Sequence, residues 1–270
     1  LFLMKLNKFE IFTTSKQFKT FNNTRFLDVR DLNKVEKFLY EISPDIVINC
    51  AGLLISESKR YIEDSIIINS LFPNVLSRLG NELDFKLVHI STDCVFSGKR
   101  GDYTEEDICD GDTAYARTKI LGEILHERHL TIRTSIIGPE LNPNGSGLLN
   151  WFLHQNGEIS GFNNVHWTGM TTLELAICIE ELIRQDLTGL YNLVPEEKIS
   201  KYKLLCLFKE VWEKNNIHIN PVNSPRFDKS LCSKKIANKY VKKNYKDMLF
   251  ELYEWIGTNK VLYPHYFNKT

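Results

Sequence analysis

Tyr115 and Lys119 stand four residues apart, a little over twenty residues after Thr92. At that spacing a tyrosine and a lysine share one helix face, about one turn from each other. An ammonium beside a phenol favours the phenolate, so Lys119 is expected to lower the pKa of Tyr115. A threonine hydroxyl at the end of a buried strand then completes a site that protonates a carbonyl oxygen as hydride arrives. The chemistry these three residue types suit is proton-coupled carbonyl reduction. The spacing also arises by chance, with Tyr115 as a packing residue and Lys119 as a surface charge. The surrounding elements must decide.

Phe85-Lys86-Leu87-Val88-His89-Ile90 is a short, mostly apolar run ending in Ser91-Thr92-Asp93, as a central parallel strand would. Pro44 to Gly52 reads as a second strand, ending in Asn49 and small residues where a ligand can approach. Between the two, roughly 62–83 reads as a helix, and ahead of the Pro44 strand 32–42 reads as another. Strand, helix, strand, helix predicts an α/β fold with a doubly wound parallel sheet and ligands at the carboxyl ends of its strands.

Several stretches carry a family resemblance. They are Ile48-Asn49-Cys50-Ala51-Gly52, Ser91-Thr92-Asp93-Cys94-Val95-Phe96-Ser97-Gly98, Tyr115-Ala116-Arg117-Thr118-Lys119-Ile120-Leu121-Gly122-Glu123 and Ile132-Arg133-Thr134-Ser135-Ile136-Ile137-Gly138. Weaker echoes are Thr168 to Thr172, Gly189 to Leu193 and Phe227 to Leu231. The chain resembles the extended short-chain dehydrogenase/reductases, in the branch of dTDP-4-dehydrorhamnose reductase and related nucleotide-sugar 4-ketoreductases. The resemblance implies an NADP-binding Rossmann core over 1–138 with about 166–195. It implies a smaller α+β substrate lobe over 139–165 and 196–270. Tyr115 is then the general acid at a C4 keto oxygen, Lys119 holds the nicotinamide ribose, and Thr92 donates a hydrogen bond to the same oxygen. Thr92, Asp93 and Cys94 border the sugar.

The start of the chain departs from that pattern. Leu1 to Leu6 looks like the later part of a first helix and Glu10 to Thr14 like a second strand, with no Gly-rich phosphate-binding turn before them. About 10–15 residues, one strand and its turn, are expected to precede Leu1. After the second strand an acid would bond the ribose 2′-hydroxyl of NAD. Here stand Thr14 and Lys16, which suit a 2′-phosphate and favour NADPH, with NADH as the alternative; Lys16 also reads as an ordinary exposed strand end. Asp28-Val29 resembles the adenine-contacting position, and Asp28 equally reads as the N-cap of the helix over 32–42. Cys50, Ala51 and Gly52 resemble the small residues against which the dinucleotide lies.

Asn69 precedes Pro73 by four residues inside the helix expected over 62–83. Proline has no N–H, so the Asn69 carbonyl loses its helical partner. The family uses a helix carbonyl here in a proton relay to the lysine; the alternative is a simple bend around the core. Cys94 stands where rhamnose-type reductases carry Tyr, and the GDP-fucose synthases have a Cys at this offset that acts as an acid/base in epimerisation. His154 or His166 would be its partner. A small buried hydrophobe is the other reading of Cys94.

On the substrate side, Pro139 to Gly147 is rich in Pro, Asn and Gly and reads as a mobile loop. Trp167 suits stacking on a base or packing. Lys229 stands where relatives have Arg, which weakens bidentate recognition of an anion. Ser200 is the expected N-cap of a helix carrying Leu204, Leu205, Phe208 and Trp212, and a last helix over 245–257 should pack Leu249, Leu252 and Trp255 inward.

Composition narrows the classes. Lys plus Arg is 34 and Asp plus Glu is 34 in 270 residues, so no net field recruits nucleic acid or an anionic membrane. Lys234-Lys235 to Lys242-Lys243 reads as a solvated helix face. Six cysteines lack CxxC spacing, so they form no metal pattern and read as reduced thiols of a cytoplasmic protein. No apolar run approaches the roughly 18–20 residues of a membrane span. The expected partners are a nucleotide-sugar substrate and, for the chain itself, a second copy in a homodimer. Asp93-Cys94 argues against the Asp-Glu of dehydratases. A dual 3-epimerase/4-reductase and a non-catalytic homologue, like the regulatory subunit of methionine adenosyltransferase, remain as alternatives.

Overall fold

The computed structural model describes residues 1–16, 24–236 and 239–267. Two compact units emerge. One comprises Leu1–Ser97, Glu105–Arg133 and Leu182–Tyr191; the other Gly98–Thr104, Thr134–Glu181 and Asn192–Thr270. Compactness thus divides the chain after 97, 104, 133, 181 and 191, where the resemblance drew functional lines near 138, 166 and 195.

In the first unit a short helix α1 (Phe2–Lys5) leads to strands β1 (Thr13–Ser15) and β2 (Thr24–Phe26), paired in parallel with Thr13 opposite Thr24. Helix α2 (Leu32–Ile42) follows. Asp31, not Asp28, is its N-cap and accepts from the Lys34 N–H at 3.1 Å. Its apolar residues Val35 and Leu39 recur at helical spacing and are buried. Strand β3 (Ile46–Asn49) then precedes α3 (Ile55–Arg60) and α4 (Ile62–Ser65).

The single helix expected over 62–83 is broken into three parts: α4, a π-helical segment Ile66–Leu71, and α5 (Phe72–Leu83). Pro73 at the start of α5 cannot donate to the Asn69 carbonyl, and the helix widens in the turn before it. That carbonyl faces Gly122 so closely that a Cβ there would sit 1.9 Å from it. Gly122→Ala is therefore expected to destabilise the protein by about 3 kcal/mol, the upper end for overpacking. A urea midpoint shift worth under about 1 kcal/mol would show that the π turn yields easily.

Strand β4 (Lys86–Thr92) is buried along most of its length, as a strand covered on both faces must be. It runs two residues beyond the apolar run that announced it. Helix α6 (Ala114–Leu121) and strand β5 (Leu130–Thr134) complete this part. The elements that follow are β6 (Ile136–Ile137), α7 (Leu148–Leu153), β7 (Gly157–Phe162), β8 (Val165–Trp167), β9 (Met170–Thr171), α8 (Thr172–Arg184) and β10 (Gly189–Asn192). The main sheet has the order β10-β5-β4-β3, with β3 and β4 parallel. Helices α2 and α5 close over it through Val35, Leu39, Leu76, Leu79, Phe85 and Leu87. This is the doubly wound α/β arrangement the strand–helix alternation predicted.

The second unit continues with β11 (Ile199–Ser200), α9 (Lys201–Val211), β12 (Ile217–Val222), β13 (Phe227–Asp228) and α10 (Tyr245–Thr258). Ser200 caps α9, accepting from Lys203 N–H at 3.2 Å. Strands β12 and β7 are parallel, and β8 lies between β11 and β13. Their core gathers Phe152, Trp167, Leu204, Phe208, Leu249 and Leu252. Trp255 is only half-buried; Ile256 and Met248 take the inward positions of α10. Glu140 stitches the loop over 139–147 by accepting from the Gly147 N–H at 2.8 Å. The basic run 234–243 is not helical where described; 237 and 238 lie outside the described residues. There Lys243 bridges Glu174 and Glu251 at 2.9 and 2.6 Å instead of lying on a solvated helix face. Among the described residues no helix is long and apolar enough to cross a membrane.

Candidate active site

Thr113 caps α6, accepting from Ala116 N–H at 3.0 Å, and so sets Tyr115 in the first turn of the helix. Thr92 ends β4, and its side chain is hydrogen-bonded to that of Tyr115. The Thr92 Oγ1 also accepts from Cys94 N–H at 3.1 Å, which fixes the short 3-10 turn over Asp93–Val95. Cys94 and Asp93 lie close enough to Tyr115 to act on it electrostatically. The fold thus brings Thr92, Tyr115, Asp93 and Cys94 together.

The direction of the Tyr115 shift corrects the sequence argument. Burial pushes its phenol up to about 12, the Thr92 hydrogen bond pulls it back only in part, and Cys94 and Asp93 push it further up. Lys119 is absent from that balance. It is 4% exposed, and its Nζ donates to the Ile90 carbonyl at 2.8 Å. Burial brings its ammonium down to about 8, against the opposing pull of Glu123 and Cys50. Desolvation of each group outweighs the mutual attraction that spacing alone suggested.

The candidate cofactor residues lie at strand ends of the same unit. Thr14 and Lys16 are exposed at the end of β1. Asp28, just past β2, is committed to Arg30: its carboxylate accepts from Arg30 Nε at 3.0 Å and Nη2 at 2.5 Å. With Lys16 adding its charge, Asp28 is held at about 2. Val29 packs against the core under α2. Cys50 and Gly52 are exposed and Ala51 is partly so, at the end of β3. The crowding of protein around the Cys50 sulfur pushes its thiol up, with Lys119 opposing. Asn69 turns its side chain inward: its Oδ1 accepts from Leu53 N–H at 2.8 Å and its amide donates to Thr118 Oγ1 at 3.2 Å.

In the second unit Trp167 takes its packing alternative. It is 4% exposed, gives its indole N–H to Ser135 Oγ at 2.6 Å, and has Tyr245 and Lys201 against its ring. Lys229 lays its stem along Gly98. His154 is engaged with the Asn150 carbonyl at 2.7 Å, and His166 faces Asp228 at 3.9 Å. A cavity of about 610 Å³ is lined by Gly98, Lys99, Arg100, Asn164, His166, Lys198, Arg226 and Asp228. Four cations against one carboxylate make it basic within a chain of no net charge.

Sequence reasoning passed over this cavity and gave no role to His89, Ser91, Glu123 or Arg133; Asn49 it marked only as a strand end where a ligand can approach. A signal existed for His89, because an ionisable side chain inside an apolar parallel strand is rarely buried without a partner. None existed for the cavity, whose residues come from four separate stretches.

Comparison with known proteins adds to this geometry. A family model described as the RmlD substrate binding domain matches residues 7–260. The dTDP-4-dehydrorhamnose reductase of Escherichia coli (strain K12) is 28% identical over 195 residues, covering 68% of this chain and 65% of that protein. Methionine adenosyltransferase 2 subunit beta of Xenopus tropicalis is 21% identical over 73% of this chain and 63% of its own length. The chain thus spans a little under two thirds of these two relatives. Among solved structures, a hypothetical dTDP-4-dehydrorhamnose reductase from Sulfolobus tokodaii has a TM-score of 0.76 and 26% identity, covering 92% of this chain and 91% of that one. The dTDP-4-dehydrorhamnose reductase of Bacillus anthracis str. Ames, in complex with NADP, has a TM-score of 0.74 over 86% of this chain and 89% of its own. At 21% identity this last likeness speaks to the fold alone.

Proposed function

This chain belongs to the RmlD substrate binding domain family, and from that premise we propose that it is an NADPH-dependent reductase. Its substrate is the C4 keto group of a nucleotide-linked 6-deoxy-4-keto-hexose, and its product feeds deoxysugar supply for surface polysaccharide. The observation that carries this reading is the hydrogen-bonded pair Thr92–Tyr115 with Lys119 buried one turn along the same helix.

The residues at the strand ends suit the cofactor. Lys16 and Thr14 offer an exposed cation and hydroxyl to a 2′-phosphate, and Cys50, Ala51 and Gly52 offer a small accessible surface. When bound, the reduced nicotinamide supplies hydride to C4. Tyr115 gives its proton to the keto oxygen; held near 12, it is a loaded acid at any physiological pH. Thr92 donates its hydroxyl hydrogen to the same oxygen. Within the second unit, the basic cavity lined by Arg226, Lys99 and Arg100 has the chemistry to bind a diphosphate.

The test is consumption of NADPH, followed by its absorbance, with a panel of dTDP-, UDP- and GDP-linked 4-keto-6-deoxy sugars. Turnover lost in Tyr115→Phe supports the reading. No turnover with any of them, despite NADPH binding, sinks it in favour of a second reading. That reading is a nucleotide-binding regulatory subunit, supported by the likeness to methionine adenosyltransferase 2 subunit beta. The place of Cys94 beside Tyr115 supports an added 3-epimerase step, to be read as solvent deuterium entering at C3.

Cofactor choice has its own test. Lys16→Ala is expected to raise KM for NADPH about tenfold and leave NADH unaffected, as the loss of one hydrogen bond to a charged group would. Equal effects on both cofactors would place Lys16 away from the 2′-phosphate.

A further inference from the structure

The parallel register of β3 and β4 sets Asn49 opposite His89. Both side chains are buried, at 3% and 1% exposure. The Ala51 N–H donates to Asn49 Oδ1 at 3.0 Å, which settles how the Asn49 amide is turned. Its NH₂ then faces His89 Nδ1 at 3.1 Å. An amide NH₂ can only donate, so Nδ1 accepts and a neutral ring carries its proton on Nε2. Burial, with the charge of Lys119 adding to it, holds the ring well below its ordinary protonation range. His89 Nε2 lies 3.5 Å from Lys119 Nζ, while that nitrogen donates to the Ile90 carbonyl at 2.8 Å.

An ammonium has three donors and no acceptor; a neutral amine has a lone pair. An Nε2–H can therefore bond only the neutral amine, and it opposes the ammonium. We propose that Asn49 and His89 are positioning residues for Lys119: Asn49 locks the ring proton of His89 on Nε2, and that N–H selects the neutral amine over the ammonium. Glu123, just beyond α6, and Cys50, just beyond β3, act on Lys119 in the opposite sense. The lysine is thus balanced between burial and His89 on one side and Glu123 and Cys50 on the other. A lysine so balanced gives and takes a proton in the working range, which a reductase can draw on between turnovers. Ala51, among the small residues proposed to meet the dinucleotide, is the far end of the same hydrogen-bond chain. That catalytic consequence rests on the reductase reading; the proton arrangement does not.

The test therefore needs no turnover. In protein with ¹⁵N-labelled histidine and ¹³C-labelled lysine, nitrogen shifts report the His89 tautomer and the Cε shift reports the Lys119 titration. The expected result is a neutral His89 with its proton on Nε2, and a Lys119 that releases its proton at about 8. In Asn49→Asp the carboxylate accepts from Nδ1, so the ring proton moves there and Nε2 becomes an acceptor for the ammonium. Lys119 then binds its proton at least tenfold more tightly. The added charge alone would tighten that proton without moving the one on the ring, so the tautomer decides. A wild-type His89 protonated on Nδ1, or charged, overturns the proposal whether or not Asn49→Asp folds. So does an Asn49→Asp protein whose ring proton stays on Nε2 or whose Lys119 titration is unmoved.

Discussion

Tyr115→Phe is expected to lower kcat about 10²–10⁴-fold, the range that a positioned general acid contributes. The substitution removes one oxygen and keeps the ring in the first turn of α6, so the helix and its Thr113 cap stay in place. What disappears is the proton for the keto oxygen and the partner of the Thr92 side chain. Binding of NADPH should be unchanged, because Lys119 and the ends of β1 and β3 are untouched. Tyr115 stays protonated up to about 12. A change of rate around pH 8 then belongs to Lys119, whose lowered value means that its amine is mostly charged below that pH and mostly neutral above it. Single-turnover rates across pH for wild type and Tyr115→Phe check both statements. A loss below about tenfold would remove Tyr115 from the proton transfer.

The second large effect concerns stability. Glu123→Gln should cost about 3–5 kcal/mol, because it leaves the Arg133 guanidinium buried without its counter-charge. The pair is bidentate, with Arg133 Nε and Nη2 each 2.7 Å from a Glu123 oxygen, and the two side chains are 5% and 6% exposed. The guanidinium is further enclosed by the Phe96 ring, 5.2 Å away, and by Cys109 Sγ, which accepts from Nη2 at 3.1 Å. Among the described residues its Nη1 is buried with no hydrogen-bond partner, and Glu105 adds a smaller electrostatic pull to that of Glu123. Glu123 also accepts from Ser91 Oγ at 2.7 Å, one residue before Thr92, so the ion pair anchors the strand end that carries the site. The double change Glu123→Leu with Arg133→Met should recover most of the loss, since it removes both charges. Urea midpoints of the three proteins measure this. A Glu123→Gln shift under about 1 kcal/mol would mean that water reaches the pair.

What was legible in the chain came from local rules. The Asn69–Pro73 spacing announced a defect in the helix, because a missing N–H acts only four residues away. Ser200 announced the start of α9, because a cap reaches only to the third residue beyond it. The same kind of rule pointed to Asp28 as the cap of α2 and missed Asp31; Asp28 is paired with Arg30, and it is Asp31 that accepts from the Lys34 N–H. Trp167 carried both a stacking and a packing reading until Ser135, Tyr245 and Lys201 closed around it.

The sequence by itself determined the alternation of strands and helices, the shared helix face of Tyr115 and Lys119, and the resemblance that names their roles. These depend on residue type and on spacing within a turn or a strand. Only the tertiary structure decided that Tyr115 is pushed up and not down, that the helix before Pro73 widens into a π turn against Gly122, and that Asn49 meets His89 across forty residues of chain. Desolvation and strand register are properties of what packs around a residue, and the spacing of residues along the chain carries neither.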